Sequence, residues 1–514
     1  MTKSSRTKNS LKNSIVALIY YILYLVLSFF SRKVFLEYLG TDILGLNTTA
    51  QNLLQFLNLA ELGIGVAVGF TLYKPIFDND ENTINEIVTL QGYLYKRIAY
   101  FLILGSAILM CFFPLIFKKI TLPLWYTYAI FGVLLFSALL SYFVNYRQIV
   151  LTASQKDYKI QYSLRSVTII KIVVQMIAVT YFPNGFIWWL ALEAIFAGIG
   201  SAALHRITMK EFPGLISVDK SFKELRTKYS YFVTKIKQIF FHKLGGFVLT
   251  QTSPLIIYAY STLSLVAIYG NYTILVSGLL MLVNAIFNSI GAGVGNLVAE
   301  GDQNKINKVF CELFSIRFLI VSTLCFCLYM LADPFITLWI GKEYLLPDST
   351  LLLIVCMLFI NLSRLTVDAF INAYGLFSDI WAPIVESILN IGLSVLLGAY
   401  FGLNGILSGV IISQIIIIVL WKPYFLISRK MRGFGMVYLK IYLSHLFIFL
   451  IISWITLNIF NRFEIQEGLV NFITYSLMVC GVFFTFMLLS LMSISKGMRE
   501  GLSRILLFVS RKRI

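Results

Sequence analysis

The sequence predicts an all-α polytopic membrane protein of about 14 transmembrane helices, two six-helix lobes followed by two C-terminal helices. Three observations carry this reading. Of 514 residues, 59% are hydrophobic and only 13% are charged, about half the charged fraction of a soluble domain. The apolar residues fall into runs near 14–35, 43–73, 98–117, 122–145, 161–182, 185–204, 239–259, 265–296, 312–332, 349–374, 380–399, 403–426, 438–460 and 468–492. Each run is long enough for a helix of about 20 residues to cross the hydrocarbon core. Finally, Lys and Arg number 42 against 24 acids, and they gather on one side of these runs, the bias that orients helical membrane proteins.

The first run follows a basic start, Met1 to Lys12, and has no small-residue cleavage site, so it reads as a retained span rather than a removable signal. An even number of spans puts both termini on one side. With the N-terminus in the cytoplasm, 34 basic residues fall in inside segments and six outside, with Lys171 and Arg364 left within spans. That asymmetry places both termini in the cytoplasm. The longest inside stretch, His205 to about Tyr231, separates six spans from the next six. The chain therefore divides into an N-lobe at 1–204, a basic cytoplasmic linker at 205–238, a C-lobe at 239–426, and spans thirteen and fourteen with a basic tail at 427–514. Small residues recur at nearly constant offset: Ala153 and Asn184-Gly185 as Ala373 and Asn404-Gly405, Asn47 and Gly69 as Asn271 and Gly293. Two parallel six-helix repeats are the expected origin. Within the linker, Ser221 to Phe241 mixes lysines with aromatic residues, which suits either a helix in the membrane interface or a solvated basic segment.

Polar side chains inside a span need a protein-lined or aqueous surrounding, because lipid cannot satisfy them. In span two, Asn47, Gln51, Asn58 and Glu61 fall within about 80° of arc if the run is one helix. They are expected to line a cavity, with Glu61 as a gating or coupling group; the alternative for Glu61 is a neutral acid hydrogen-bonded for packing. Span eight repeats such a face with Ser277, Asn284 and Asn288, and the two faces suggest a shared central cavity. Span ten carries Asn361, Arg364, Asp368 and Asn372, with Arg364 and Asp368 four apart and able to neutralise each other. Lys171 lies deep in span five, too deep for easy snorkelling, and is a candidate anion contact. Glu386 and Asn390 sit one turn apart in span eleven, where Glu386 could pair with Arg364. Glu193 in span six is left unassigned, and Arg32 lies at the outer end of span one.

Enzyme chemistry finds little here. There is no phosphate-binding loop, dinucleotide turn, metalloprotease helix or His/Cys cluster, and the three histidines stand apart at 205, 242 and 445. The six cysteines lie in or beside apolar runs without metal-ligand spacing, so neither a metal site nor a disulfide is expected. No catalytic residue and no cofactor is expected. Transport driven by a proton or sodium gradient, or by the membrane potential, fits the composition better than catalysis, and the basic excess is explained by orientation rather than by nucleic acid.

Several ordered motifs carry a resemblance. They are RKVFLEYLGTDILGL (Arg32 to Leu46), LNLAELGIGVAVGFTLYKPI (Leu57 to Ile76), HKLGGFVL (His242 to Leu249), the Ile268-Tyr269-Gly270-Asn271-Tyr272 turn, DPFITLWIGKEYLL (Asp333 to Leu346) and NAYGLF (Asn372 to Phe377). Together they resemble the polysaccharide-type flippases of the multidrug/oligosaccharidyl-lipid/polysaccharide (MOP) exporter superfamily. The resemblance implies translocation of undecaprenyl-diphosphate-linked oligosaccharide from the cytoplasmic to the outer leaflet of a bacterial plasma membrane, by alternating access around a cationic cavity. It also implies work alongside polysaccharide polymerase and export machinery. The chain departs from the family's pattern at Thr252-Ser253, where an acidic residue is frequent. On this reading Lys171 and Arg364, with Arg32 and His242, receive the diphosphate, and Asn47, Gln51, Asn58, Asn284 and Asn288 solvate the sugars. Glu61, Asp368 and Glu386 couple or gate. The competing reading is an ion-coupled multidrug or small-cation antiporter of the same superfamily, which would have twelve spans and an acidic cavity.

Overall fold

The computed structural model describes residues 3–61, 64–118, 122–230, 253–287, 300–376, 381–460 and 468–511, with isolated residues between these stretches. Eleven helices among them are long and apolar enough to cross a membrane. Two of the eleven are double. Helix α1 (Lys3–Leu57) contains Gly40 at φ 82°, ψ 172°, a left-handed break between spans one and two. Helix α12 (Trp381–Gln414) breaks in the same way at Gly402, φ 55°, between spans eleven and twelve. An L-residue with a side chain is strained at either point, so glycine sets both turns. Span seven, at 239–259, lies mostly outside the described residues, which hold its end at 253–260 as helix. The chain is an all-α polytopic membrane protein of about 14 transmembrane helices. Helix is what these runs must form, since in hydrocarbon each backbone N–H and C=O has to be satisfied within the segment.

The chain forms two compact units, Met1–Ala267 and Ile268–Ile514. In unit 1, α1 is followed by a 3-10 turn (Asn58–Glu61), α2 (Ile64–Asp78), α3 (Glu81–Cys111), α4 (Trp125–Phe143), α5 (Ser166–Tyr181) and α6 (Gly185–Glu211). Helix α5 packs on α6 and α1, and α4 packs on α6, α3 and α1. Phe113 anchors one end of this core, edge-on to Phe117 and Phe131.

The linker is built onto unit 1. The Asn85 amide donates to Gly214 O at 2.9 Å and accepts from Ile216 N, and Val218 N donates to Thr89 Oγ1. A short helix α7 (Phe222–Lys228), closed by a Ser221/Glu224 capping box, then brings Lys220, Lys228 and Tyr229 to one buried carboxylate, Glu86, at 2.5, 2.6 and 2.6 Å. Arg97 lies 3.7 Å over the Phe222 ring. The described part of this segment through Tyr229 docks on α3.

Helix α8 (Leu263–Phe287) leads into unit 2, whose central element is α9 (Gln303–Trp339). Around it lie α10 (Asp348–Ser363), α11 (Leu365–Ala373), α14 (Gly435–Phe460), α15 (Leu469–Ile494) and α16 (Lys496–Arg511), with α13 (Lys422–Lys430) continuing α12 through a π-helical turn at Ile415–Trp421. Aromatic stacking seals the contacts of α9 with its neighbours: Phe326 lies 4.1 Å from Phe483 with the rings nearly parallel, and Phe318 stands edge-on to Phe359.

Candidate functional site

In unit 1 the span-two polar residues fall on two consecutive elements: Asn47 and Gln51 on helix α1, which ends at Leu57, and Asn58 and Glu61 on the 3-10 turn that follows. Gln51 is exposed, and Asn47 is half-buried with its Oδ1 lacking a hydrogen-bond partner. Glu61 is instead held by two phenols from other helices. Tyr142 of α4 donates to Glu61 Oε2 at 2.7 Å and approaches Asn58 Oδ1 at 3.2 Å, and Tyr95 of α3 donates to Glu61 Oε1 at 3.1 Å. The two rings meet edge-on, 5.4 Å apart. Sequence reasoning missed both tyrosines. Each sits in or beside an apolar run, where a phenol reads as packing until a carboxylate is brought to it.

Lys171 is not a free cation. Its Nζ pairs with Glu193 Oε1 at 2.6 Å, and Gln175 bonds the other Glu193 oxygen and Trp189 O at 3.0 Å each. The pair lines a crevice of about 150 Å³ with Asn145, Gln148, Thr168 and Ser201. Two opposite charges with a third hydrogen bond make a neutral, satisfied unit inside the span region. Arg32 donates to Ala267 O at 2.9 Å, one contact among others it makes.

Unit 2 gathers more charge. Arg364 pairs with Asp368 at 2.9 Å, the i,i+4 neutralisation the spacing allowed, and Lys422 approaches the other Asp368 oxygen at 3.3 Å. Glu386 makes no ion pair with Arg364 among the described residues. It is buried, its Oε1 lacks a hydrogen-bond partner, and Arg364, Lys422 and Asp368 act on it only through space. Asn390, one turn on, is fully buried with both amide atoms unpartnered. The two halves of α12 fold back on each other so closely that a Cβ on Gly409 would lie 2.4 Å from Ser394 N, and the Ser394 hydroxyl donates across the seam to Ile406 O at 2.9 Å. Gln414, on the second arm of this hairpin, is also buried with its Oε1 unpartnered. Unsatisfied buried amides are costly, so α12 holds hydrogen-bonding capacity to offer a polar occupant.

Arg317, which the basic-residue count groups with the cytoplasmic side, lies in the apolar run at 312–332 and on α9, which begins at Gln303, and it is 4% exposed. Its guanidinium sits 4.6 Å over the Phe287 ring and contacts Thr366 Oγ1 at 3.4 Å, while its Nε has no hydrogen-bond partner. Asp368 acts on it only through space. Around Asp368, unit 2 thus sets three cations, Arg317, Arg364 and Lys422, against the carboxylates of Asp368 and Glu386. Asn284 is half-buried on α8. His242 and Asn288 lie outside the described residues. Among the described residues no three His, Cys, Asp or Glu side chains gather as a metal site.

This architecture has solved counterparts. The lipid II flippase MurJ, in an inward closed conformation, superposes with a TM-score of 0.67 at 15% identity, covering 94% of this chain and 99% of its own. An inward-facing multidrug resistance MATE family transporter of the MOP superfamily gives 0.58 at 12% identity, covering 80% and 97%. A mutant form of the Vibrio cholerae MATE transporter VcmN gives 0.51 at 14%, covering 84% and 98%. The chain has the fold of these transporters. No protein-family model matches the sequence, and no curated protein matches it. At such identities the likeness establishes the fold, while the substrate has to be argued from the residues.

Proposed function

We propose that this chain is a flippase that moves undecaprenyl-diphosphate-linked oligosaccharide repeat units from the cytoplasmic to the outer leaflet of a bacterial plasma membrane by alternating access, with both termini cytoplasmic. The observation that carries this reading is the cation excess of unit 2, with Arg317 buried and lacking an ion-pair partner among the described residues. A diphosphate carries about two negative charges and enters low dielectric only against cations and hydrogen-bond donors. Arg317 joins Arg364 and Lys422 as its proposed contacts. Arg32 and His242 remain candidates, and Lys171 acts through its pair with Glu193. Asn47, Gln51, Asn58, Asn284 and Asn288 are proposed sugar contacts. Glu61, Asp368 and Glu386 are proposed to couple transport to a proton or sodium gradient or to the membrane potential. Partners on this reading are the bilayer, polysaccharide polymerase and export machinery.

The extent of the superpositions agrees with two helices beyond the twelve of the two lobes. The lipid II flippase covers 94% of the chain and the MATE transporters 80% and 84%, a difference large enough for two further helices. The deciding experiment depletes the protein and scores lipid-linked oligosaccharide by leaflet with an external glycan probe. Accumulation on the cytoplasmic leaflet with loss of surface polymer is the expected result. Arrival at the outer leaflet at the normal rate, in cells with no second flippase, overturns it and makes small-cation export the next assay.

A further inference from the structure

Cysteine spacing gives no reason to pair any of the six, yet unit 2 sets two of them against each other. Cys327 of α9 and Cys480 of α15 are separated by 153 residues, and their Sγ atoms lie 2.9 Å apart. That is shorter than the roughly 3.5–4.0 Å of ordinary nonbonded carbon contacts, and a disulfide requires the sulfurs to close by only about 0.9 Å more. The approach is set by the packing around it. Phe326, next to Cys327, stacks at 4.1 Å on Phe483, three residues after Cys480 and on the same face of α15. Val479 and Phe483 are fully buried in that seam. The stacked rings hold the two helices in the register that faces sulfur to sulfur. Both thiols are reduced here.

We propose that Cys327 and Cys480 form an oxidisable dithiol, a redox modification site that staples α15 covalently to α9. The oxidant is hydrogen peroxide, small enough to enter a helix seam. The Cys480 sulfur, the more exposed of the two, attacks the peroxide O–O bond, becoming a sulfenic acid and releasing one water. The Cys327 thiol then attacks the sulfenyl sulfur, the S–S bond forms, and the hydroxyl leaves with the thiol proton as a second water. Two electrons pass from the two sulfurs to the peroxide. A dithiol reductant reverses the bond by thiol–disulfide exchange. The inference stands on helix packing within unit 2 and is independent of the transported substrate.

The test uses the full chain in membrane vesicles treated with hydrogen peroxide, then unfolded in detergent with a maleimide-linked polymer that adds one mass step per free thiol. The reduced protein labels at all six cysteines; after peroxide it labels at four, and dithiothreitol restores six. Cys480→Ser labels at five both before and after peroxide, while Cys327→Ser, which lacks the resolving thiol, labels at five before and at four after, with Cys480 held as a sulfenic acid that dithiothreitol reduces. Mass spectrometry of the oxidised wild-type digest recovers a Cys327–Cys480 linked pair, two hydrogens lighter than its parts, and needs no variant. Six labels after peroxide, a loss that dithiothreitol does not reverse, or a loss that persists in Cys480→Ser overturns the proposal.

Discussion

The Tyr142 phenol donates a 2.7 Å hydrogen bond to Glu61 Oε2, joining a 3-10 turn after α1 to the middle helix of unit 1. With Tyr95 on the other oxygen, the carboxyl group is clamped from two helices, and its environment changes if either helix moves. Glu61→Gln keeps the shape but cannot accept at both positions, so export of lipid-linked oligosaccharide falls while the protein still folds. Tyr142→Phe removes one buried donor and lowers stability by about 1–2 kcal/mol, read as a drop in detergent melting temperature. Unchanged transport in Glu61→Gln removes Glu61 from any coupling role.

How much of this could be read beforehand differs from residue to residue. The apolar runs located thirteen spans that the described helices contain, because run length is the dominant constraint in a bilayer. Helical arithmetic at about 100° per residue could not show the change at Asn58 and Glu61, where α1 gives way to a 3-10 turn. The start of α9 was not legible, because hydropathy windows start where charge ends, and α9 starts nine residues earlier than its apolar run. The Lys171–Glu193 pair, by contrast, was within reach: the residues stand eleven positions either side of Phe182, at the turn between α5 and α6. An antiparallel hairpin brings such mirror positions together. The surroundings of Arg317 come from Phe287 and Thr366, on helices distant in sequence, and no local pattern encodes them.

The Lys171–Glu193 pair separates structure from substrate binding. Lys171→Ala leaves the half-buried Glu193 without its cation and destabilises by about 2–4 kcal/mol. If the pair is purely structural, Lys171→Met combined with Glu193→Gln restores both melting temperature and transport. Restored melting with transport still absent shows that the Lys171 charge itself meets substrate.

Glu86 gives a prediction about the docked linker and its pH dependence. The Tyr229 phenol is pushed above its usual value of 10.0 by burial and by its bond to Glu86. A raised phenol favours the folded form as long as the free phenol is also protonated. The Tyr229 contribution to docking is therefore complete below about pH 10 and weakens as pH rises past it, when the undocked tyrosine ionises first. Glu86→Gln removes the shared anchor of Lys220, Lys228 and Tyr229. Trypsin then cuts at Arg226 and Lys228 at least tenfold faster in the variant at neutral pH, and in the wild type the same sites open only under alkaline conditions. Equal cleavage rates for both proteins at neutral pH refute the anchoring role.

Arg317 carries the most direct test of the cationic cluster. It is buried against Phe287 and Thr366, so its cost has to be offset by a partner, and Asp368 is already occupied by Arg364 and Lys422. If the partner is a diphosphate, Arg317→Gln lifts a desolvation penalty in the empty protein while removing a charge-assisted contact worth about 1.5–3 kcal/mol in the loaded one. The variant then melts at the same temperature or higher, while transport falls about tenfold or more, and Arg317→Lys recovers only part of it because an ammonium cannot bond a phosphate bidentately. Arg364→Gln behaves differently: it frees Asp368 from one cation and leaves Lys422 as the other, so both folding and transport weaken. A loss of melting temperature in Arg317→Gln that tracks its loss of transport identifies Arg317 as a packing residue held by its aromatic neighbour and returns the diphosphate contact to Arg364 and Lys422.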